Sequence, residues 1–146
     1  MRLTTFSDYT VRTLIYLALR PDALCTIDEI ADAYGISTNH LMKVVHQASR
    51  AGEVQTVRGQ RGGLRLAHTP DAINIGTVLR RTEPDWNIVP CFCAGESCAI
   101  QPACVLQNML RTALAAFLAV LDHVTLADLV RPGRRLSGLL EIQETT

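Results

Sequence analysis

Four of the five cysteines in this chain lie in one short segment, at positions Cys91, Cys93, Cys98 and Cys104. Thiolates are the usual ligands of iron–sulfur clusters and frequent ligands of zinc. An odd number of cysteines, with four of them clustered, favours metal or redox chemistry in a reducing compartment over a disulfide framework. We therefore expect a metal site in this segment. Cys25 stands apart and is expected to be a small buried apolar side chain.

The segment 83–101 is predicted to be a loop, because it contains Pro84, Pro90 and Gly95. A long irregular segment in a small domain usually needs something to order it, and a metal centre would do that. A structural zinc site is the second choice. Zinc sites usually pair two Cys-x2-4-Cys knuckles, whereas here only Cys93-x4-Cys98 fits that spacing.

A long apolar helix is predicted after the cysteines, from about residue 103 to 124. Its apolar residues recur at intervals of three and four, and they are Leu106, Met109, Leu110, Ala113, Leu114, Phe117, Leu118, Leu121 and Val124. A helix of 20 residues is roughly 30 Å long, which is more than the core of a small domain covers. Large exposed apolar faces are uncommon on monomers. We therefore predict a homodimer in which a second copy covers this stripe.

The N-terminal part predicts a helix-turn-helix. Thr26 and Glu29 form a capping box before a helix over 27–34, and Gly35 ends that helix. Ser37 starts a second helix that runs to about residue 50. In such a pair the second helix enters the major groove of DNA.

A wing is predicted directly after this pair, with strands over 53–57 and 64–66 and a glycine-rich tip between them. Glycines at the tip allow a close approach to the DNA backbone, and Arg58, Arg61 and Arg65 supply positive charge for phosphates. The expected DNA contacts are Ser37, Thr38, Asn39, His40, Lys43, Gln47, Arg50, Arg58, Arg61, Gly62 and Gly63.

The remaining helices are predicted at about 8–20, capped by Ser7, at 74–82 and at 126–130. The expected organisation is a DNA-binding domain over 1–82, a cluster-binding loop over 83–102, a dimerisation segment over 103–130 and a weakly ordered tail over 131–146.

Charge is unevenly distributed although the formal net charge is zero. Residues 37–68 contain five Lys and Arg against one Asp or Glu, which suits a phosphate-rich partner.

The chain has 146 residues, 48% of them hydrophobic, which is enough for one domain with an ordinary core. The N-terminal residues contain no apolar run of the kind found in a leader, so a leader is not expected. The longest uncharged stretch near the C-terminus, 112–121, is too short to cross a bilayer, so we expect a cytoplasmic protein without a membrane segment.

Together, the helix-turn-helix, the wing tip Arg58-Gly-Gln-Arg-Gly-Gly63, the spacing Cys93-x4-Cys98-x5-Cys104 and the long helix resemble the iron–sulfur winged-helix regulator family. The resemblance covers nearly the whole chain up to residue 130. Within the family, the opening Leu3-Thr-Thr-Phe-Ser-Asp-Tyr9 and the segment Cys98-x3-Pro102-Ala-Cys104 look most similar to the nitric-oxide-sensing repressors. The implied fold class is mainly α, a winged helix-turn-helix domain with a long C-terminal dimerisation helix.

The resemblance also implies a ligand set of three cysteines and one other residue. One branch of the family uses a His three residues after the third cysteine, where this chain has Gln107. The nitric-oxide-sensing branch uses an Asp near the start of the first helix, which Asp8 matches. The implied ligands of a [4Fe-4S] cluster are therefore Cys93, Cys98, Cys104 and, from the other subunit, Asp8. Cys91 departs from the pattern and is either a substitute for Cys93 or a spare thiol.

By this resemblance, the chain is a transcriptional repressor that leaves its operator DNA when nitric oxide reacts with the cluster. The alternative within the family is a regulator that senses redox state or cluster supply through a [2Fe-2S] centre. A winged-helix module without a cluster is a further alternative. An enzyme is not expected, because the chain has neither a Cys-x-x-Cys redox pair nor a Ser/His/Asp arrangement.

Overall fold

The computed structural model describes residues 2–142. It is mainly helical, with one small two-stranded sheet. The elements in chain order are α1 (Thr5–Ala18), α2 (Ile27–Tyr34), α3 (Thr38–Arg50), β1 (Val54–Val57), β2 (Gly63–Leu66), α4 (Ile75–Thr82), α5 (Val105–Asp122), α6 (Leu126–Leu129) and α7 (Gly133–Leu139). Single 3-10 turns cover Pro70–Ala72, Pro90–Phe92 and Gln101–Ala103. This is the mainly α, winged helix-turn-helix architecture that the sequence predicts.

Helix α1 begins three residues earlier than predicted, and its cap is Thr4. The Thr4 side chain accepts a hydrogen bond from the backbone N–H of Ser7. The prediction that Ser7 is the cap is therefore wrong. Ser7 is fully buried, and its hydroxyl donates to Oγ1 of Thr82 at the end of α4, at 2.7 Å. A buried hydroxyl needs such a partner, so this contact fixes how α1 and α4 pack.

Helix α2 forms as predicted from its local sequence. Thr26 and Glu29 make the reciprocal hydrogen bonds of a capping box, and Gly35 ends the helix with φ of 62°. The resulting tight turn leads into α3. Leu14 of α1, Ile30 of α2 and Leu41 of α3 are all fully buried, and they form the centre of the core between these helices.

The wing is an antiparallel hairpin in which Val54 pairs with Leu66 and Val57 with Gly63. Strand β2 is also bridged to Cys25, whose backbone exchanges hydrogen bonds with Leu64 at 3.0 and 2.7 Å. Cys25 is fully buried, as expected, and burial raises the pKa of its thiol. The hairpin is therefore attached to the helical core and not only to α3.

Helix α5 is joined to the DNA-binding part through α4 at its C-terminal end. Asn74 donates to the carbonyl of Asp122 at 2.7 Å, and the N–H of Ile75 donates to the carbonyl of Val124 at 2.9 Å. Arg80 and Asp122 form a two-point ion pair, in which Nη2 lies 2.9 Å from Oδ2. The direction of α5 is thereby set by α4.

Most of α5 beyond this attachment is exposed. Within residues 2–142 it is also the one helix that is long and apolar enough to cross a membrane by length and composition alone. The sequence prediction considered only 112–121. In the structure the apolar residues from Val105 extend that stretch, since Arg111 and Asp122 are the only charged residues of α5. A single helix of this kind is weak evidence for a membrane span, because a helix that packs on another protein chain has the same composition.

The end of the described chain is helical, which differs from the expected weakly ordered tail. A capping box formed by Thr125 and Asp128 starts α6, and α7 follows. Leu140 and Ile142 pack against the main core, which explains why this part is ordered. Residues 143–146 of the expected tail lie outside the described residues.

Candidate metal centre and nucleic-acid interface

The outward surface of α3 carries most of the polar residues that were expected to contact DNA. The exposed members are Asn39, His40, Lys43, Gln47 and Arg50. The opposite face is buried in the core through Leu41, Val44, Val45 and Ala48. This division leaves a polar helix face available to a major groove, where amide and ammonium groups read base edges.

The first turn of α3 differs from its predicted form. Ser37 occupies the N-cap position, as expected for the residue that starts this helix, but its side chain makes no capping hydrogen bond. The half-buried Thr38 instead donates to Oδ1 of Asp28 on α2 at 3.3 Å, which ties this turn to α2. Ser37 is exposed at the helix N-terminus, where backbone N–H groups attract phosphate oxygens.

The wing tip presents Arg58 and Arg61 to solvent. The tip turn requires glycine at Gly62, because a Cβ there would lie 2.3 Å from the carbonyl oxygen of Val57. Arg65 is also exposed, but its guanidinium donates to Oε1 of Gln55 on the facing strand at 2.9 Å. The tip arginines therefore have more freedom than Arg65 to follow a DNA backbone.

Three residues beside this surface were missed by the sequence analysis. Met42 and His46 are exposed on α3, and Phe6 of α1 lies next to them. Together with Asn39, Lys43 and Gln47 they line a shallow groove of about 670 Å³. Helical periodicity in the sequence could have identified Met42 and His46, since positions 42 and 46 fall on the same helix face as positions 39 and 43.

The clustered cysteines lie in an open segment between α4 and α5. All four are free thiols; Cys98 is exposed, and Cys91, Cys93 and Cys104 are half-buried. The segment contains only two single 3-10 turns, at 90–92 and 101–103. Cys104 is the N-cap of α5, and its Sγ accepts a hydrogen bond from the backbone N–H of Gln107 at 3.4 Å. One candidate ligand is therefore part of α5 itself.

Asp8, the expected fourth ligand, lies in the first turn of α1. Its Oδ2 is 2.9 Å from Nε of Arg12, and the guanidinium of Arg12 lies over the ring of Tyr34 at 5.7 Å. These residues line an open groove of about 570 Å³. Burial raises the pKa of Tyr34 to about 12, so its hydroxyl remains protonated. Asp8 is thus linked through Arg12 to α2.

One copy of the chain does not bring the expected ligands together. Among residues 2–142, no three His, Cys, Asp or Glu side chains are gathered closely enough to hold a metal ion. The ligand set Cys93, Cys98, Cys104 and Asp8 therefore stays a prediction.

Comparison with known proteins gives the family of the chain. The model of the Rrf2 family, described as iron-dependent transcriptional regulators, matches residues 3–132. The chain belongs to the Rrf2 family. Relatives named NsrR, an HTH-type transcriptional regulator, are 49% identical in Bacillus subtilis, over 99% of this chain and 100% of the relative, and 47% identical in Bacillus licheniformis, over 96% and 99%.

Solved structures of Rrf2-type proteins show the same fold. CymR, the global cysteine regulator of Bacillus subtilis, is 26% identical with a TM-score of 0.74, over 90% of this chain and 98% of that protein. T. potens IscR is 22% identical with a TM-score of 0.72, over 100% of this chain and 94% of that protein, and it supports the fold alone. Because its Rrf2 relatives are named as transcriptional regulators, the chain is an NsrR-like transcriptional regulator and not an enzyme.

Proposed function

We propose that this chain is a dimeric, cytoplasmic repressor that binds operator DNA and releases it in response to nitric oxide, through a [4Fe-4S] cluster. The proposed ligands are Cys93, Cys98 and Cys104 of one copy and Asp8 of the other. The observation that carries the proposal is the position of Cys104. This thiol caps the exposed apolar helix α5, so a candidate ligand and the proposed dimer helix are one element.

The donor set fits an iron–sulfur cluster. Thiolates are the usual ligands of such clusters, and the four clustered cysteines are free thiols, with Cys98 exposed and the other three half-buried. The backbone hydrogen bonds within residues 89–104 of the loop that carries them all join residues three apart, so they form local turns and do not fix one turn against another. The family description as iron-dependent and the name NsrR of the relatives also support this assignment.

A second copy is proposed to cover one face of α5. Leu106, Met109, Ala113, Ala116 and Val120 follow one another at intervals of three, four, three and four, and all are exposed. This is the spacing of a helix that packs along a partner helix. The small alanines in the middle allow the two helices to approach closely. A neighbouring face of α5 packs on its own copy, where the ring of Phe117 contacts that of Trp86.

The residues around Asp8 supply a route from the metal site to the DNA surface. Asp8 is paired with Arg12, which lies against Tyr34 of α2, so a carboxylate that held iron would have to give up this ion pair and Arg12 would lose its partner. The start of α1 is also tied to the start of the cysteine loop, because Glu83 accepts hydrogen bonds from the N–H and the hydroxyl of Thr4 at 2.8 and 3.1 Å. Movement of the loop is thereby transmitted to α1 and α3.

When bound, a cluster with one oxygen ligand supplies an iron that reacts with nitric oxide. A dimer that reads a two-fold DNA site needs its recognition helices about 34–36 Å apart. Loss of Asp8 from the site frees α1 to shift, and a small change in the angle between the copies then removes the match to DNA.

The test is anaerobic purification, followed by iron and sulfide analysis and operator binding with and without nitric oxide. We expect about four irons per chain, and operator release on addition of nitric oxide. Asp8→Ala is expected to lose the gas response, whereas the matched control Asp32→Ala, an exposed residue of α2, retains it. A colourless protein with stoichiometric zinc, a [2Fe-2S] Mössbauer spectrum, or an unchanged response of Asp8→Ala would refute the proposal.

A further inference from the structure

Gln107 is a buried polar residue on a helix that is otherwise mostly exposed. Its side chain is only 9% exposed, although it lies in the first turn of α5. Its backbone N–H donates to Sγ of Cys104 at 3.4 Å, and its side-chain amide donates to the carbonyl of Cys91 at 3.3 Å. One residue therefore contacts both ends of the cysteine segment.

A second contact holds the same end of the loop on α5. The guanidinium of Arg111, one helical turn after Gln107, lies over the ring of Phe92 at 4.7 Å from its centroid. Phe92 belongs to the 3-10 turn Pro90–Phe92. That turn is closed by hydrogen bonds from the N–H of Phe92 to Val89 and from the N–H of Cys93 to Pro90, at 3.0 and 2.9 Å. The turn that carries Cys91 and leads into Cys93 is thus docked on the start of α5.

We propose that Gln107 is a positioning residue for the metal site. It holds the turn at 90–93 close to Cys104 before any iron binds, and Arg111 fixes the orientation of that turn. In this role Gln107 acts through the hydrogen bond from its amide nitrogen to the Cys91 carbonyl and not as a metal ligand. The proposal rests on the proposed function, since it concerns the same thiols.

The physical reason for such a residue is the cost of ordering a long loop. Gathering thiols from a free loop removes backbone entropy for every residue that becomes fixed. If one arm of the loop is already docked beside Cys104, only the middle, around Cys98, has to fold when iron arrives. Residues that hold metal ligands in place in this way contribute to metal affinity without contacting the metal.

The variant that tests this role is Gln107→Leu, which keeps the size and burial of the side chain and removes the amide donor. The matched control is Asn108→Leu, which removes an amide from the exposed neighbouring position. Both chains are loaded anaerobically with iron and sulfide and then challenged with a chelator. We expect Gln107→Leu to load more slowly and to lose its visible absorption and circular dichroism about three- to tenfold faster than the wild type, as the loss of one hydrogen bond implies.

Hydrogen–deuterium exchange of the metal-free chains gives an independent readout. The amides of Phe92 and Cys93 are expected to exchange faster in Gln107→Leu than in the wild type or in Asn108→Leu, while the core helices are unchanged. If wild type and Gln107→Leu load and retain iron equally, or if their exchange at 90–93 is equal, this role is refuted while the proposed function stands. If the wild type itself takes up no iron and sulfide, the proposed function fails and this role fails with it.

Discussion

The substitution Leu106→Glu tests whether a second copy covers α5. Leu106 is 61% exposed in the single chain and begins the proposed helix seam. Glutamate has a high helix propensity, so α5 itself should be retained. In the proposed dimer, however, the change removes an apolar contact from each copy and places a carboxylate in the helix seam.

The expected effect follows from the exposed fraction of the side chain. Burying a whole leucine side chain contributes about 1.5–3 kcal/mol, so covering the exposed 61% of Leu106 contributes about 1–2 kcal/mol per copy. The two-fold symmetry doubles this to about 2–4 kcal/mol for the dimer. Since about 1.4 kcal/mol corresponds to a factor of ten, the dimer dissociation constant should rise by roughly 30- to 700-fold.

The assay is sedimentation velocity over a dilution series of the metal-free protein, together with operator affinity from fluorescence anisotropy. The matched control is Leu139→Glu, which makes the same change at a leucine of α7 that is 73% exposed. We expect Leu139→Glu to behave as the wild type. If the dimer dissociation constants of Leu106→Glu and Leu139→Glu agree with each other within about twofold, the covering of α5 by a second copy is refuted.

The remaining predictions concern the DNA surface and the joint between α4 and α5. Arg61→Ala should weaken binding to all DNA sequences alike and reduce the salt dependence of binding, whereas Asn39→Ala should change the sequence preference. Gel shifts on operator variants that show the reverse pattern would contradict both assignments. Gly76→Ala should lower the free energy of unfolding by about 1–3 kcal/mol, because the new Cβ would lie 2.5 Å from Oδ1 of Asp122. This cost exceeds the gain from the higher helix propensity of alanine. An unchanged melting temperature would contradict this packing. The hydrogen bond from Arg80 lowers the pKa of Asp122, so their pair stabilises the fold above the ordinary Asp pKa, and this stabilisation is lost as the pH falls through the lowered value. Asp122→Asn should therefore flatten the fall of the melting temperature below about pH 4, and an unaltered profile would count against the pair.

Local sequence signals predicted the DNA-binding part well. The capping box of Thr26 and Glu29 and the left-handed Gly35 specify α2 and its turn from residues that are neighbours in the chain. The hairpin around the wing tip is also local, since its strands pair directly across one turn. In such elements the interactions that decide the structure connect residues only a few positions apart, so a single sequence contains them.

The structure differs from the sequence predictions where the two residues of a contact are far apart in the chain. Ser7 was expected to cap α1, but its hydroxyl bonds to Thr82, 75 positions away, and Thr4 takes the cap. The tail was expected to be weakly ordered, yet Leu140 and Ile142 reach the main core. Gln107 was noted only as a poor iron ligand. Its contact with Cys91, 16 residues earlier, depends on how the loop folds back on α5, which no local pattern encodes.

The metal centre was predicted only from the family resemblance, and its expected ligands are not brought together within one copy of the chain. Residues 2–142 of one copy gather no group of three donors. Cys104, at the N-cap of α5, nevertheless has a fixed neighbour in Gln107. Asp8 lies on α1 with its own ionic partner. The proposed site therefore requires the loop to fold and a second copy to supply Asp8.

The central claim, that nitric oxide acts on an iron–sulfur site to release DNA, is tested most directly by one anaerobic titration. The protein is bound to a fluorescent operator, nitric oxide is added in steps, and visible absorbance and anisotropy are recorded on the same sample. The account predicts that the absorbance of the cluster and the DNA-bound fraction fall together over the same range of nitric oxide. Complete loss of the cluster signal with the operator still bound, or a sample without iron that responds equally, would contradict it.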